Sequence, residues 1–260
     1  MKKTVIFSWY GYFNDFCCRV ENIKEAGFDG LMLWWEDDAG DWPHSRWEMV
    51  ELTRKLGLEI FNTHIANIHE DFLWSDDDSI REKHLFLIRD TIEEISEVGL
   101  DNLVIHLCES GDVPPPGDSL FRSIEYLIPF AQKHKVTLSL ENTWRSDYLE
   151  AVWRRYPNEG LGFCFDTSHA NLRHQFDLLK DHYDILTALH ISDNDGLQDR
   201  HWPPFDGIID YEKLVTPYLG KTDVPYTMEL IADRKRYPDE QAFLKLAKER
   251  IDRLLALENM

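Results

Sequence analysis

Short apolar runs typical of buried strands alternate along the chain with stretches that have the three- and four-residue apolar spacing of helices. The pattern predicts strands near 4–9, 29–34, 58–63, 101–107, 136–141, 161–166, 186–191 and 224–229. It predicts helices near 15–26, 45–56, 79–98, 118–134, 146–155, 170–182, 210–219 and 239–257. No linker or shift in composition interrupts these eight units, so residues 1–260 are predicted to form a single domain.

The third predicted helix has the clearest signals. Ser79 and Glu82 have the spacing of a capping box, in which each side chain satisfies a backbone N–H of the first turn. Gly99 is suited to the left-handed residue that ends a helix. The apolar stripe of this helix comprises Leu85, Ile88, Ile92 and Ile95. We expect the stripe to face a sheet, because the outer face of a parallel sheet has to be covered.

Strict alternation of strands and helices favours parallel strands joined by right-handed crossovers. A length of 260 residues suits one (β/α)₈ TIM barrel of the α/β class, which is the fold we predict. A doubly wound open sheet is the alternative. No Gly-x-Gly-x-x-Gly motif follows the first strand, which weakens the nucleotide-binding form of that alternative.

The charge balance narrows the range of partners. Lys and Arg total 28 and Asp and Glu total 48, giving a net charge of −20. Such a field repels nucleic acid and anionic membranes, and it favours a neutral substrate or one held by a metal. No apolar stretch approaches 18 residues, and the N-terminus lacks a signal-peptide pattern, so we expect a cytoplasmic protein without a membrane span. Whether the chain forms homo-oligomers stays open.

Four residues with metal-binding side chains follow one another at the ends of the last four predicted strands. They are Glu141, Asp166, His190 and Glu229, spaced by 25, 24 and 39 residues. The ends of neighbouring barrel strands lie side by side at the catalytic face, so these side chains are predicted to converge. Three carboxylates and one imidazole indicate one divalent metal ion, with manganese favoured over zinc, magnesium or cobalt. No organic cofactor is predicted.

Further polar residues are candidates for substrate binding or a second metal. His64 and His106 end the third and fourth predicted strands, and His169 and Asp193 each follow a quartet residue by three positions. Asp199 and His201 lie in the long loop after the seventh strand. A lone histidine is more often a hydrogen-bonded core ring, so only those at the predicted catalytic face are selected.

Tryptophans cluster at the same ends of the predicted strands, where their rings are suited to stacking against a sugar. They are Trp9, Trp34, Trp35, Trp144 and Trp202. The alternative is that these rings merely cover the barrel.

Several motifs together resemble the xylose isomerase-like barrel superfamily. They are Gly27-Phe28-Asp29-Gly30, Glu141-Asn142-Thr143, Asp166-Thr167-Ser168-His169, His190-Ile191-Ser192-Asp193 and the loop from Asp199 to Asp210. This superfamily includes ketose 3-epimerases, inosose dehydratase, hydroxypyruvate isomerase and apurinic endonucleases. The resemblance implies that the quartet binds the metal and that His169 contacts substrate or a second metal. It also implies that the positions of a three-zinc endonuclease cluster are filled, by His64, His106, Asp199 and His201.

One loop departs from the superfamily pattern. Many members have Pro-Gly-x-Gly after the loop histidine, whereas this chain has Pro204-Phe205-Asp206-Gly207. The conformation of this loop therefore cannot be carried over from the resemblance.

The predicted function is a metal-dependent isomerase or epimerase of a sugar, sugar phosphate or polyol. Glu141 and Glu229 are predicted to move a proton next to a metal-bound carbonyl, through an enediolate. Loss of a hydroxyl instead would make the same site an inosose-type dehydratase. A zinc-dependent apurinic endonuclease is a further alternative, opposed by the acidic segments 35–38 and 76–78 and by Asp71. A non-catalytic sugar-binding barrel is the last.

The sequence gives a weak indication about phosphate. Asp233-Arg234-Lys235-Arg236 follows the eighth strand and could hold an anion, but the loop after the seventh strand is acidic. An unphosphorylated substrate is therefore favoured.

Overall fold

Eight strands, all parallel, form the wall of a barrel in the computed structural model, which describes residues 2–38, 43–66, 70–157 and 159–258. The strands are β1 Thr4–Phe7, β2 Gly30–Trp35, β3 Glu59–Ile65, β4 Asn102–Ile105, β5 Thr137–Glu141, β6 Leu161–Asp166, β7 Leu186–His190 and β8 Tyr226–Met228. Every strand that the sequence predicted is present, at bounds within a few residues of the prediction.

Helices connect these strands and cover the outside of the barrel. They are α1 Phe16–Glu25, α2 Arg46–Lys55, α3 Asp78–Glu97, α4 Asp118–His134, α5 Ser146–Arg155, α6 Thr167–Arg173, α7 Phe176–His182, α8 Glu212–Val215 and α9 Glu240–Leu257. Short 3₁₀ helices occur at Glu70–Trp74, Tyr183–Ile185 and Leu219–Lys221. Within the described ranges, no helix is long and apolar enough to cross a membrane.

The strands follow chain order around the barrel, with β1 paired to both β2 and β8. The circuit closes between β7 and β8 through one parallel bridge, Ile191 with Met228. At this junction the Ile191 N–H donates to the Thr227 carbonyl at 2.8 Å, and the Glu229 N–H donates to the Ile191 carbonyl at 3.2 Å. The predicted (β/α)₈ TIM barrel is confirmed.

Alternation along the strands separates the interior of the barrel from its outer face. In β6, Phe163 and Phe165 point outward and pack against Trp153 of α5 and Phe176 of α7. Cys164, between them, lies inside the barrel with Val104 and Ala188. The predicted stripe of α3 is likewise buried in the main core. This arrangement brings the last residue of each strand to the mouth of the barrel.

The start of α3 differs from the prediction. Asp77 is the N-cap, and its side chain accepts from the Ser79 N–H at 2.9 Å. The predicted capping box at Ser79 and Glu82 is wrong, because Ser79 already lies inside the helix that Asp77 caps. Gly99 has a φ of +70°, so its predicted left-handed conformation is confirmed.

Two of the predicted helices differ from the helices in the structure. The segment 170–182 forms two helices, because His174 takes a left-handed φ of 57° and ends α6. Residues 210–219 contain only the four-residue helix α8, and the rest of that stretch leads into the 3₁₀ turn at Leu219–Lys221.

Candidate metal centre

The four predicted metal ligands come together at the mouth of the barrel. Glu141, Asp166 and His190 are the last residues of β5, β6 and β7, and Glu229 directly follows β8. One donor atom from each lies within 4.8 Å of the donor atoms of the other three, and all four side chains are buried. Consecutive strand ends therefore produce the convergence that the spacing predicted.

The contacts inside this quartet leave donor atoms available for a ligand. Nδ1 of His190 lies 3.2 Å from Oε2 of Glu141 and 3.1 Å from Oε2 of Glu229. Asp166 uses Oδ1 to accept from the His169 N–H at 2.6 Å, which caps α6. Its other oxygen, Oδ2, is buried and has no hydrogen-bond partner among the described residues. A buried carboxylate oxygen without a partner is costly unless a cation or proton binds it.

Burial and mutual repulsion govern the charges of the quartet. Burial, with neighbouring carboxylates adding to it, raises the pKa of Asp166 to about 7. Burial alone would also raise the pKa of Glu229, but the charge of His190 outweighs it and lowers the value to about 2. The same opposition, again led by His190, holds the pKa of Glu141 well below its usual range. The carboxylates are thus balanced by protons on imidazoles, a positive charge that a divalent cation can replace.

Two further histidines contact Glu141, one from β3 and one from the residue that follows β4. Nε2 of His64 lies 3.3 Å from Oε2 of Glu141, and Nε2 of His106 lies 3.2 Å from the same oxygen. The other nitrogen of each ring is held: Nδ1 of His64 donates to the Ile65 carbonyl at 2.8 Å, and Nδ1 of His106 bonds Glu109. His64, His106 and Glu141 thereby form a second group whose donor atoms lie within 4.8 Å of one another.

A third set of polar residues lies on the other side of Glu141. Nδ1 of His169 is 3.1 Å from Oε1 of Glu141, and its Nε2 is 3.1 Å from Oδ2 of Asp199. His201 also contacts Oδ2 of Asp199 at 3.1 Å, and the Ser168 hydroxyl donates to Oδ1 at 2.6 Å. Burial lowers the pKa of His201, but the hydrogen bond to Asp199 outweighs this effect and raises the pKa to about 9.

A cavity of about 420 Å³ opens directly above these donors. Trp9 and Trp34 line it together with Glu141, His169, Asp199 and Glu229. The Trp34 ring stacks on His64, with centroids 5.0 Å apart and planes 18° apart. An aromatic wall thus faces the candidate ligands across a space that a small polar molecule can enter.

A second cavity of about 360 Å³ adjoins the first. The two share His106, Glu109, His169 and Asp199 as lining residues. Trp144 and Arg173 line only the second cavity, and the Arg173 guanidinium lies 3.4 Å from the centroid of the Trp144 ring. Together the two cavities form a cleft longer than the donor cluster itself.

Three of the residues named from sequence lie elsewhere. The carboxylate of Asp193 is buried and accepts three backbone N–H groups, from Asn194 at 2.9 Å, Phe205 at 3.0 Å and Ile209 at 3.1 Å, so it shapes the loop after β7. Trp35 points to the outer face, where its Nε1 donates to Glu94 at 2.8 Å. Neither residue lines the two cavities. Trp202 does not line them either, and the guanidinium groups of Arg200 and Arg236 lie over its ring, 5.7 and 5.2 Å from the centroid.

Sequence reasoning missed three charged residues of the cleft. Glu36 lines the first cavity and accepts from Nε1 of Trp34 at 3.2 Å. Glu109 bonds His106, and Arg173 reaches the second cavity from the end of α6. Of these three, only Arg173 could have been predicted from the sequence. It follows His169 by four residues, so the two side chains share one face of the helix.

The departure in the loop after β7 is accommodated by backbone strain. Phe205 stands where the superfamily pattern has glycine and keeps a left-handed φ of 71°. Its ring packs under the Arg253 guanidinium at 3.7 Å and beside Tyr211 at 5.3 Å. These contacts hold a conformation that costs an ordinary residue on the order of 1 kcal/mol.

The chain belongs to the xylose isomerase-like TIM barrel family, whose model matches residues 20–247. The resemblance inferred from the motifs is confirmed. Among curated proteins, the uncharacterized protein y4fM of Sinorhizobium fredii is 26% identical, over 83% of this chain and 81% of that protein.

Solved sugar epimerases have a similar fold. An L-ribulose 3-epimerase has a TM-score of 0.79 at 17% identity, covering 100% of this chain and 96% of that chain. A D-tagatose 3-epimerase-like protein has a TM-score of 0.75 at 19% identity, covering 99% and 98%. The 3-keto-D-glucoside 4-epimerase YcjR of E. coli has a TM-score of 0.69 at 17% identity, covering 98% and 99%. At these identities the likeness establishes the fold alone.

Proposed function

We propose that this protein is a divalent-metal-dependent isomerase or epimerase of a sugar or polyol, which moves a proton next to a carbonyl. The observation that carries the proposal is the buried quartet, whose donor atoms lie within 4.8 Å of one another beside a cavity of about 420 Å³. The chemistry of the donors fits a hard divalent cation, with manganese favoured over zinc, magnesium and cobalt.

Glu141, Asp166, His190 and Glu229 are the residues that would hold the ion. When bound there, a divalent ion polarises a carbonyl and stabilises negative charge that develops on its oxygen. All four side chains are buried, but only Glu141 and Glu229 line the cavity. Asp166 and His190 therefore serve to bind the ion, and Glu141 and Glu229 remain within reach of a substrate.

Glu141 and Glu229 are suited to abstract a proton and to return it. They approach the cavity from β5 and from the end of β8, on different sides of the mouth. The pKa of each carboxyl is lowered by His190 despite burial, so both stay ionised at neutral pH. A proton removed by one carboxylate and replaced on the other face by its counterpart would invert a carbon; return to the neighbouring carbon would isomerise the sugar.

The cavity also suits a carbohydrate. Trp9 and Trp34 line it beside the polar groups Glu36, His169 and Asp199. An apolar ring face binds the C–H face of a sugar, while charged and imidazole groups bind its hydroxyls. This combination supports a polyhydroxylated substrate over a purely apolar one.

The test combines metal analysis with proton exchange. Purified protein is supplied with Mn²⁺ and screened on ketoses and inososes in D₂O, and deuterium incorporation next to the carbonyl is followed by NMR. We expect Glu141→Gln and Glu229→Gln each to lower exchange by roughly 1,000-fold, because each removes a base. Glu59→Gln, on an exposed residue at the opposite end of β3, is the matched control. Exchange at wild-type rates in either variant would rule out the two-base mechanism.

A zinc-dependent endonuclease is the second candidate, favoured by the additional donor group of His64, His106 and Glu141. A cluster of several zinc ions could activate water against a phosphodiester. Glu36 lines the first cavity, however, and would repel a DNA backbone. Nicking of an abasic duplex by the zinc-loaded protein, with no exchange on any sugar, would favour this candidate.

A further inference from the structure

One strongly basic side chain reaches the cleft. Among the described residues that line the two cavities, Arg173 is the sole arginine or lysine. Its guanidinium makes no hydrogen bond or ion pair with any described residue and stacks on Trp144 at 3.4 Å. In a chain of net charge −20, an arginine without an acidic partner at the edge of a cavity requires an explanation.

The acidic groups beside Arg173 are already bound to histidines. Glu109 bonds Nδ1 of His106, and Asp199 is held by His169 and His201 at 3.1 Å each. These carboxylates therefore have their own cationic partners and leave the guanidinium available. The fork of an arginine matches a carboxylate or a phosphate in a bidentate pair, and stacking on an aromatic ring orients the fork in advance.

The position of Arg173 relates it to the proposed chemistry. It follows His169 by four residues in α6, so the two share one face of the helix at a separation of about 6 Å along the axis. His169 contacts Glu141 at 3.1 Å. A substrate whose reacting carbons lie at Glu141 can thus extend past His169 towards Arg173.

The basic cluster after β8 does not compete for this role. Arg236 forms an ion pair with Asp206 at 2.9 Å, and Arg234 lies over the Phe13 ring at 4.8 Å. Neither residue lines the two cavities. An anion in the cleft would therefore meet Arg173.

We propose that Arg173 binds an anionic group at the end of the substrate remote from the reacting carbon, so that the enzyme acts on a sugar bearing a carboxylate or a phosphate. The inference rests on the proposed function and names its substrate class. It differs from the neutral substrate that overall charge favoured, because a local cation in the cleft outweighs a distant negative field.

A series of ketoses that differ in one terminal group tests the proposal. The Mn²⁺-loaded protein is assayed on D-fructose, D-fructuronate and D-fructose 6-phosphate, which end in a hydroxyl, a carboxylate and a phosphate. We expect kcat/KM for at least one anionic ketose to exceed that for fructose by about 10- to 100-fold, as one charged hydrogen-bonded contact provides. The comparison of carboxylate with phosphate identifies which anion is preferred.

Variants at Arg173 connect this preference to the residue. Arg173→Gln should lower kcat/KM for the preferred anionic ketose about 10- to 100-fold more than kcat/KM for fructose, and Arg173→Lys should retain part of the preference. Arg154→Gln, on an exposed residue of α5, should change nothing. Equal rates on all three ketoses in the wild type, or equal losses on all three in Arg173→Gln, would overturn the proposal.

A binding arm separates this proposal from the proposed function. Tryptophan emission is titrated with D-glucitol, D-gluconate and D-glucose 6-phosphate, which have no ketone and do not react. Binding of an anion that requires Arg173, without turnover of any ketose, would preserve the anion subsite and count against the isomerase. Turnover of ketoses with no anion binding tighter than glucitol would do the reverse.

Discussion

Two layers of polar side chains inside the same barrel differ in how their polar groups are hydrogen-bonded. In the lower layer, the Ser139 hydroxyl lies 2.9 Å from Oδ1 of Asn102 and 2.7 Å from the Thr187 hydroxyl. The Asn102 amide donates to the Thr187 carbonyl at 3.1 Å. In the upper layer, two residues farther along β5, Glu141 joins a cluster of charged groups in which Oδ2 of Asp166 has no partner among the described residues.

The difference shows that burial of a polar residue does not by itself identify a site. Ser139, Asn102 and Thr187 of the lower layer are neutral and hydrogen-bond one another, so they stabilise the fold. The upper layer concentrates like charges and leaves buried acceptors unpaired, which costs folding free energy until a ligand binds. The predictions below test this division.

The largest effect is expected when a ligand of the upper layer is neutralised. Asp166→Asn should weaken Mn²⁺ binding by at least roughly 100-fold, because an amide replaces a carboxylate in the donor set. The metal-free variant should unfold at the same or a higher temperature than wild type, since a carboxyl whose pKa burial raises to about 7 has been removed.

The measurements for Asp166→Asn are isothermal titration with Mn²⁺ and calorimetric unfolding of metal-free protein. The asparagine oxygen can still cap α6, so the helix should be unaffected. Mn²⁺ affinity within about threefold of wild type would show that the quartet is not the metal site.

The next effect is a pH dependence of metal binding. Burial raises the pKa of Asp166 to about 7; although burial opposes it, Cys164 and the carboxylates of Glu141 and Glu229 hold the pKa of His190 well above its usual range. In metal-free protein these two ligands therefore carry protons near and below neutral pH. Each proton displaced by the ion weakens binding about tenfold per pH unit below the pKa. We expect Mn²⁺ to bind about 10- to 100-fold more weakly at pH 6 than at pH 8, as measured by EPR titration. Affinity independent of pH would contradict this account.

A smaller effect should follow from damage to the lower layer. Ser139→Ala removes a hydroxyl that bonds both Asn102 and Thr187, and should lower the free energy of unfolding by about 1–3 kcal/mol. Mn²⁺ affinity should stay within about threefold of wild type. Urea unfolding measures the first effect and metal titration the second, with Ser146→Ala as the control. A large loss of metal affinity would show that the two layers are coupled.

The smallest effect concerns thiols. Cys164 is buried in the barrel beside Glu141 and His190, and burial raises the pKa of its thiol to about 12, whereas Cys18 is exposed on α1. A disulfide reagent should therefore label Cys18 in the native protein and Cys164 only after unfolding. Peptide mapping by mass spectrometry reads out both sites. Early labelling of Cys164 would mean that the barrel interior opens below the mouth.

The fold could be predicted because its signals are local and repeated. Each strand is a short, mostly apolar run with a polar boundary, and the next run follows after a helix-length interval. The break between α6 and α7 could not be seen, because a histidine, His174, occupies the left-handed position that glycine usually marks. The cap of α3 was misplaced because Asp77 and Ser79 both have capping side chains, and only the backbone decides between them.

The part of the candidate site that lies at the ends of strands could be predicted from the sequence. Glu141, Asp166 and His190 each end a strand, so their convergence follows from the barrel. Asp193 is also an acidic residue close to a candidate ligand, since it follows His190 by three positions. Its carboxylate nevertheless accepts from backbone N–H groups of its own loop. Trp34 and Trp35 point to opposite faces because they are neighbours in β2, an alternation the sequence contained. Glu109 lies in a loop, where no periodicity indicates direction.

The single bridge that completes the barrel has a consequence for its mechanics. Ile191 and Met228 form this joint, and each adjoins a candidate ligand, His190 on one strand and Glu229 on the other. A metal ion bound by both His190 and Glu229 would link β7 to β8 at the point where the barrel is closed by a single bridge. Binding of the metal would then also stabilise the junction of β7 and β8. Removal of the metal would appear first as faster amide exchange at Ile191 and Glu229.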